Sequence, residues 1–276
     1  MAADGTFAGI DVGTTMTKAV VIDGDATLLG QSVQRSGADL ALAATTAFEK
    51  ALARAEVARE SIQFIVATGY GRRSVSFAHD TKTEIACHSR GCYHYFPEAI
   101  TVVDIGGQDS KIIKLDERGR RIGFKMNRKC AAGTGAFLEE MAHKLDIPIG
   151  DLNGLASAAT RTAEIGSYCT VFTATEVLDR IRAGERTDEI VRGLFDSVAK
   201  RIVEMDTLVG RVLMTGGVIA FNPIVAELLT ARIGMGRAGG SVEIAPHPQQ
   251  MGAFGAALLA AEAFADQKSV ARRQSR

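Results

Sequence analysis

Two stretches of the chain resemble each other: residues 7–15 read FAGIDVGTT, and residues 100–109 read ITVVDIGGQD. In each stretch a short apolar run is followed by an aspartate and then by a glycine-rich segment. This pattern predicts a β-strand followed by a tight turn. A second apolar segment follows each turn, KAVVID at residues 18–23 and KIIKL at residues 111–115. The repeat therefore predicts two β-hairpins that begin two related subdomains.

Helical and strand patterns alternate along the rest of the chain, which predicts an α/β fold with short connections. We expect a first subdomain over residues 5–100, a second over residues 101–265, and a disordered polar tail over residues 266–276. Predicted helices lie near residues 37–58, 135–145, 171–183, 188–209 and 252–265, and predicted strands near residues 62–67, 212–214 and 242–245.

The two turns have the composition of phosphate-binding loops. Glycine lets the backbone approach a phosphate, and the N–H groups of a tight turn can point at its oxygens. An aspartate at the strand end, here Asp11 or Asp104, can hold Mg²⁺ through water or orient an attacking water. Either turn alone is better explained as an ordinary hairpin. Two matched turns, with a third glycine turn TGG at residues 215–217, favour a nucleotide site, although no Walker sequence GxxxxGK[ST] occurs.

The composition excludes several classes of protein. The 32 basic and 32 acidic residues balance, so we expect neither nucleic acid nor an anionic membrane as the main partner. The N-terminal sequence lacks a signal-peptide pattern, and the longest apolar run, residues 251–261, is shorter than the ~18–20 residues of a membrane span. We therefore expect a soluble, cytoplasmic protein.

Two of the four cysteines precede predicted helices: Cys130 lies before the helix near residue 135, and Cys169 before the helix near residue 171. A helix N-terminus stabilises a thiolate, and its N–H groups also suit an iron–sulfur cluster. Three interpretations remain open from the residues: buried structural cysteines, a thiol nucleophile, or ligands of a metal or cluster. Two thiols are half of the usual four for a [4Fe–4S] cluster, and a second chain could supply the other pair.

The other two cysteines lie in the segment CHSRGCYH at residues 87–94. Because the segment also contains His88 and His94, it resembles a metal-binding motif. We interpret it instead as a helix with partly buried cysteines, since free cysteine behaves as a small apolar residue.

The three glycine turns together resemble the actin, hexokinase and heat-shock-70 ATPase superfamily. In that fold two duplicated ribonuclease-H-like subdomains clamp Mg-ATP between two phosphate loops. The resemblance implies that Asp11 and Asp104 are catalytic. It also implies nucleotide contacts from three groups of residues: Gly13, Thr14, Thr15 and Lys18; Gly106, Gly107 and Gln108; and, at the nucleoside, Gly216 and Gly217.

Six motifs narrow the resemblance: IDVGTT (10–15), ATGYGR (67–72), VDIGGQD (103–109), CAAGTG (130–135), CTVF (169–172) and MTGGV (214–218). Over residues 7–262 the chain resembles the BadF/BadG/BcrA/BcrD-type iron–sulfur ATPases, which serve 2-hydroxyacyl-CoA dehydratases or ATP-dependent benzoyl-CoA reductases. The resemblance implies that Cys130 and Cys169 of two subunits hold one [4Fe–4S] cluster at a dimer interface. It also implies that the helices after these cysteines move when ATP is exchanged for ADP. Many members read Ala-Glu-Ser-Glu after CTVF, and this chain has Ala174 at the first acidic position, so that carboxylate's role is not carried over.

These features predict an ATP-dependent electron activase that uses ATP/ADP, Mg²⁺ and the cluster. We expect it to take an electron from reduced ferredoxin or flavodoxin and pass it to a CoA-thioester reductase or dehydratase, as a homodimer or with a paralogous subunit. The segment of residues 234–248, with its His247-Pro248 pair, leads us to favour a benzoyl-CoA reductase subunit over an activator of a 2-hydroxyacyl-CoA dehydratase. The alternative of another class is a small-molecule kinase or a nucleotide sensor of the same fold.

Overall fold

A computed structural model describes residues 5–166, 169–234 and 241–274. The chain divides into two compact units: unit 1 comprises the residues up to 97 together with those from 250 onward, and unit 2 comprises residues 98–249. The elements follow in chain order as β1 (Thr6–Val12), β2 (Met16–Asp23), β3 (Leu28–Arg35), α1 (Leu40–Ala55), β4 (Ile62–Thr68), β5 (Asp80–Thr81), α2 (Glu84–Tyr95), β6 (Ile100–Ile105), β7 (Ser110–Leu115), β8 (Arg121–Asn127), α3 (Gly135–Leu145), α4 (Leu152–Ala158), α5 (Thr170–Arg182), α6 (Thr187–Met205), β9 (Arg211–Thr215), α7 (Gly217–Phe221), α8 (Ile224–Gly234), β10 (Val242–Ile244) and α9 (Met251–Gln274).

Each unit is built on a mixed five-stranded sheet, and the two sheets have the same topology. The strand order is β3-β2-β1-β4-β5 in unit 1 and β8-β7-β6-β9-β10 in unit 2. In both units the first strand pairs antiparallel with the second and parallel with the fourth. The duplication predicted from the two hairpins, and the α/β fold of the actin and hexokinase type, are therefore confirmed.

The central strands form because their residues are apolar on both faces. Every residue of β6 is buried, and so is every residue of β1 except Thr6. The sequence of a strand that is covered on both faces is a continuous apolar run, whereas apolar and polar residues alternate in a strand with one exposed face. In unit 1, α1 lies over β2 and β3, and Phe48 in α1 is fully buried in the core beneath it. In unit 2, α3 and α6 contribute the fully buried Phe137 and Phe195.

The C-terminal helix α9 belongs to unit 1, which differs from the predicted second subdomain over residues 101–265. The physical reason is its apolar surface, which packs against β1, β4 and α2. The Phe264 ring lies 5.6 Å from that of Phe7 in β1, with the two ring planes tilted by 59°. The helix continues to Gln274, where the sequence predicted a disordered tail from residue 266, and only residues 275–276 of that tail lie outside the described residues.

Three strands were missed from the sequence: β5, which has only two residues, and the longer strands β3 and β8. Each of the two longer strands is the outermost strand next to a predicted hairpin and carries polar residues, so its pattern is weak. Among the helices of the described residues, none is long and apolar enough to cross a membrane.

Candidate functional site

Loop 1 (residues 11–16) joins β1 to β2, and a partly buried ion pair lies at its base. Asp11 and Lys18 lie opposite each other in the antiparallel ladder, and the lysine Nζ is 3.0 Å from the aspartate Oδ2. The N–H of Gly13 donates to the carbonyl of Met16 at 3.1 Å and closes the turn. A Cβ on Gly13 would lie 2.8 Å from that carbonyl oxygen, so only glycine fits without a shift. Ser36 supports the loop, since its hydroxyl donates to the Gly13 carbonyl at 2.6 Å.

Loop 2 (residues 104–110) joins β6 to β7 and repeats this arrangement in unit 2. Lys111 lies opposite Asp104, with its Nζ 3.1 Å from Oδ2, and it also contacts Asp109 at 2.7 Å. The Gly106 N–H donates to the Asp109 carbonyl at 2.9 Å. The lysine is almost fully buried between the two carboxylates, so its charge is neutralised locally. Sequence reasoning missed Lys111, although the common spacing from aspartate to lysine in both hairpins could have identified it.

Beside each aspartate, the neighbouring parallel strand ends in a threonine that is followed by a glycine. Asp11 pairs in register with Thr68, and Asp104 with Thr215. The next residue is a glycine in a left-handed conformation in both units, with φ of 89° at Gly69 and 100° at Gly216. The two threonines differ in their bonding. The Thr215 hydroxyl donates to Asp104 Oδ1 at 2.9 Å, whereas no described hydrogen bond joins the Thr68 hydroxyl to Asp11; Thr68 interacts instead with the Cys87 thiol.

The glycine turn at residues 215–217 lies beside the end of β6. A Cβ on Gly216 would overlap the backbone of Ile105, so the turn requires glycine. The N–H of Gly216 donates to the Pro248 carbonyl at 2.9 Å. The His247-Pro248 pair therefore holds this turn in place, while residues 235–240 of the segment that favoured the reductase subunit lie outside the described residues.

Loop 2 is hydrogen-bonded to the helix that follows Cys130. The first two N–H groups of α3, those of Gly135 and Ala136, donate to the carbonyls of Gly106 and Gly107 at 2.9 Å and 2.7 Å. The first N–H groups of a helix have no partner inside the helix, so loop 2 supplies two of the missing acceptors. A displacement of loop 2 is therefore transmitted directly to the start of α3.

Cys130 and Cys169 are both exposed free thiols at the starts of helices that pack against each other. Cys169 is the N-cap of α5, and Cys130 precedes α3 by five residues. The Asn127 amide donates to the carbonyls of Cys130 and Ala132, each at 3.0 Å, and so fixes the cysteine loop. Next to Cys169, the first turn of α5 exposes most of the side chains of Val171 and Phe172.

The donor set fits half of a cluster site. Within the described ranges, no group of three or more His, Cys, Asp or Glu side chains could hold a metal ion. One chain therefore offers two exposed thiols, and a four-thiol site needs a second pair. The apolar side chains exposed beside Cys169 are suited to cover such a shared site.

The segment leading to Cys169 is fixed by Glu176 and Arg180. Glu176 accepts the Gly166 N–H at 2.9 Å and pairs with Arg180, whose guanidinium also donates to the carbonyl of Glu164. Ala174, the position at which the resemblance implied an acidic residue, is packed against the core of unit 2. This position therefore contributes packing in the present chain.

Cys87 and Cys92 are fully buried within α2. Burial raises the pKa of the Cys87 thiol to about 12, and the nearby Asp11 carboxylate adds to the effect. A neutral, inaccessible thiol is a poor metal ligand, so the geometry agrees with the interpretation of structural cysteines.

Comparison with known proteins places this geometry in a family. The sequence pattern of the BadF/BadG/BcrA/BcrD ATPase family matches residues 8–260. The chain belongs to this family.

Characterised relatives extend over nearly the whole chain. A 2-hydroxyisocaproyl-CoA dehydratase activator of Clostridioides difficile is 37% identical over 95% of this chain and 97% of the relative. An activator of lactoyl-CoA dehydratase from Anaerotignum propionicum is 41% identical over 92% of this chain and 97% of the relative. A benzoyl-CoA reductase subunit of Thauera aromatica is 30% identical over 92% of each chain.

Solved structures agree with the sequence relatives. The activating component of the Acidaminococcus fermentans (R)-2-hydroxyglutaryl-CoA dehydratase has a TM-score of 0.88 at 35% identity, covering 94% of this chain and 99% of that one. The Clostridium difficile 2-hydroxyisocaproyl-CoA dehydratase activator with bound ADPNP has a TM-score of 0.87 at 33% identity, covering 96% and 97% of the two chains. A glucokinase of Streptomyces griseus, with a TM-score of 0.59 at 13% identity over 94% of this chain and all of that one, shares the fold alone.

These similarities correct our preference between the two partner classes. The dehydratase activators are more similar to this chain than the reductase subunit is, at 37% and 41% against 30% identity. The described end of the segment of residues 234–248 supports the Gly216 turn, and this contact does not distinguish between the two partner classes.

Proposed function

We propose that this chain is the ATP-dependent activator of a 2-hydroxyacyl-CoA dehydratase, to which it delivers low-potential electrons. The observation that carries the proposal is the pair of exposed cysteines ahead of α3 and α5, with α3 hydrogen-bonded to loop 2. The identity to dehydratase activators supports the choice of partner. A benzoyl-CoA reductase component remains the second candidate because the Thauera aromatica reductase subunit is also related.

Loops 1 and 2 bind the phosphates of ATP in this proposal. Their backbone N–H groups and the threonines of loop 1 donate to phosphate oxygens, and the Gly216-Gly217 turn contacts the nucleoside. Asp11 and Asp104 orient water ligands of Mg²⁺, whose charge neutralises the phosphates during phosphoryl transfer. The ion pairs with Lys18 and Lys111 support this role, because each lysine holds its carboxylate in a fixed orientation at the end of a strand.

Cys130 and Cys169 of two copies would hold one [4Fe–4S] cluster, which supplies a one-electron carrier when bound. The chain's own contribution is to position the thiols and to tune their surroundings. Asn127 fixes the Cys130 loop, Glu176 and Arg180 fix the approach to Cys169, and the first turn of α5 offers N–H groups near the sulfur. Because loop 2 is bonded to α3, nucleotide exchange can alter the surroundings of Cys130.

Anaerobic purification tests the proposal. We expect a brown dimer with about four irons, and ATP hydrolysis that Asp11→Ala and Asp104→Ala each reduce by orders of magnitude. Together with reduced ferredoxin or flavodoxin and ATP, the protein should activate a 2-hydroxyacyl-CoA dehydratase. Activation of a benzoyl-CoA reductase core with no effect on any dehydratase would support the second candidate. A colourless ATPase that phosphorylates a sugar or acid would refute both.

A further inference from the structure

The helices α2 and α9 of unit 1 approach each other closely at three glycines, Gly91, Gly252 and Gly255. A Cβ on Gly91 of α2 would lie 2.8 Å from the Met251 carbonyl oxygen, and a Cβ on Gly255 of α9 would overlap the Cys87 carbonyl. Glycine in a helix interior costs about 1 kcal/mol relative to alanine. Glycines at these positions therefore reflect a need for close contact between the two backbones.

The same contact places α9 against the end of β1. Side chains at alternate positions of a strand share a face, so Phe7, Gly9 and Asp11 point to one side of β1. Phe7 contacts α9 through Phe264, and a Cβ on Gly9 would overlap the α9 backbone. Asp11 is the next residue on this face and therefore also points toward α9.

His88 and the Asp11 carboxylate both approach Gly252 at this contact. A Cβ on Gly252 would lie 2.9 Å from His88 Nε2 and 3.2 Å from Asp11 Oδ2, so both atoms face the same point. Both side chains are buried, with 6% of each residue exposed. A third glycine, Gly252, thus keeps the space between the imidazole and the carboxylate free of any side chain.

A comparison of Asp11 with its counterpart Asp104 in unit 2 suggests the role of the imidazole. In unit 2, the Thr215 hydroxyl donates to Asp104, whereas in unit 1 the equivalent Thr68 hydroxyl makes no such bond. Asp11 therefore lacks the donor that its counterpart has, and the polar group that approaches it from outside the sheet is His88.

We propose that His88 is a positioning residue for ATP hydrolysis: through one water, its Nε2–H holds the Asp11 carboxylate oxygen that Lys18 also contacts. The inference rests on the proposed ATPase function and gives a role to the Cys87-His88 pair that is independent of any metal. His88 acts through Asp11, so its loss should lower turnover with a smaller effect on nucleotide affinity.

Three substitutions test the proton donor. His88→Leu removes it, His88→Gln keeps an amide N–H at the reach of Nε2, and His88→Asn carries the same group one methylene short. ATP hydrolysis should fall by about ten- to hundredfold in the Leu and Asn variants, as is typical when the partner of a functional ligand is removed. The Gln variant should stay near wild type, and the Kd for ADP should change little in all three.

The control is His94→Leu, at the far end of the same helix, where the ring packs against Tyr95 and Phe254. It should leave turnover unchanged. Equal losses in the Gln and Leu variants, or wild-type turnover in folded His88→Leu, would overturn the inference. If His88→Leu does not fold, the comparison of His88→Gln with His88→Asn tests the inference, because the two side chains carry the same amide and differ only in length. A wild-type protein without ATPase activity would refute the proposed function itself, whereas loss in Asp11→Ala with full activity in His88→Asn would refute only the role of His88.

Discussion

Thr68 and Thr215 occupy equivalent buried positions in the two sheets, but only Thr215 donates to an aspartate. Thr215→Val keeps the shape of the side chain and removes the hydroxyl. A hydrogen bond to a charged group is worth about 1.5–3 kcal/mol, because its loss leaves a buried carboxylate with one donor fewer. For a unit of this size, 1 kcal/mol shifts the Tm by about 2–4 °C, so the expected decrease is about 3–12 °C.

Thr68→Val is the matched control, since both threonines are fully buried and end a parallel strand. Its hydroxyl makes no described bond to a carboxylate, and its neighbour is the Cys87 thiol, a weak hydrogen-bonding group, so replacing it with an apolar methyl should cost much less stability than Thr215→Val does. Thermal and urea unfolding of the two variants, followed by circular dichroism, measure the difference directly. Equal destabilisation by both substitutions would show that the hydroxyl of Thr215 contributes no more than its shape.

Three further predictions concern the cysteines and the glycine turn. Cys130→Ser and Cys169→Ser should each lower the iron content of anaerobically purified protein; iron analysis checks this, and an unchanged content in either variant would contradict the ligand assignment. Cys87, with its pKa raised to about 12 by burial, should remain protonated and resist iodoacetamide from pH 6 to 9 in the folded protein. Mass spectrometry should find Cys130 and Cys169 of the cluster-free protein alkylated before Cys87, and early labelling of Cys87 would show that α2 opens. Gly216→Ala should lower the stability by about 2–5 kcal/mol, from backbone strain at positive φ and overlap with a neighbouring strand; a Tm within 2 °C of wild type would contradict this estimate.

The hairpins and the cysteine positions were predictable because their signals are local. Each phosphate loop is a contiguous run with glycine at the turn, and the position of a cysteine before a helix follows from nearby periodicity. The pairing of Asp104 with Thr215 was not predictable in this way, since it joins residues 111 positions apart. The approach of His88 to Asp11 depends on three glycines in two distant helices, and isolated glycines in a helical pattern do not specify what they contact.

The assignment of α9 to the wrong subdomain has the same origin. Its apolar surface was evident in the sequence, but the sequence did not show which sheet it covers. Only the contacts with β1 and β4 place it in unit 1.

Unit 1 consists of two sequence segments, one before and one after unit 2, and this affects the order in which the two units can fold during synthesis. Residues 98–249 are contiguous and contain all of the contacts that define unit 2, so this unit can acquire its fold as soon as its own residues have left the ribosome. The earlier strands β1 and β4 cannot be covered on their α9 face until residues beyond 250 emerge. The nascent chain therefore exposes one apolar face of the unit 1 sheet during the interval in which residues 98–249 can already fold.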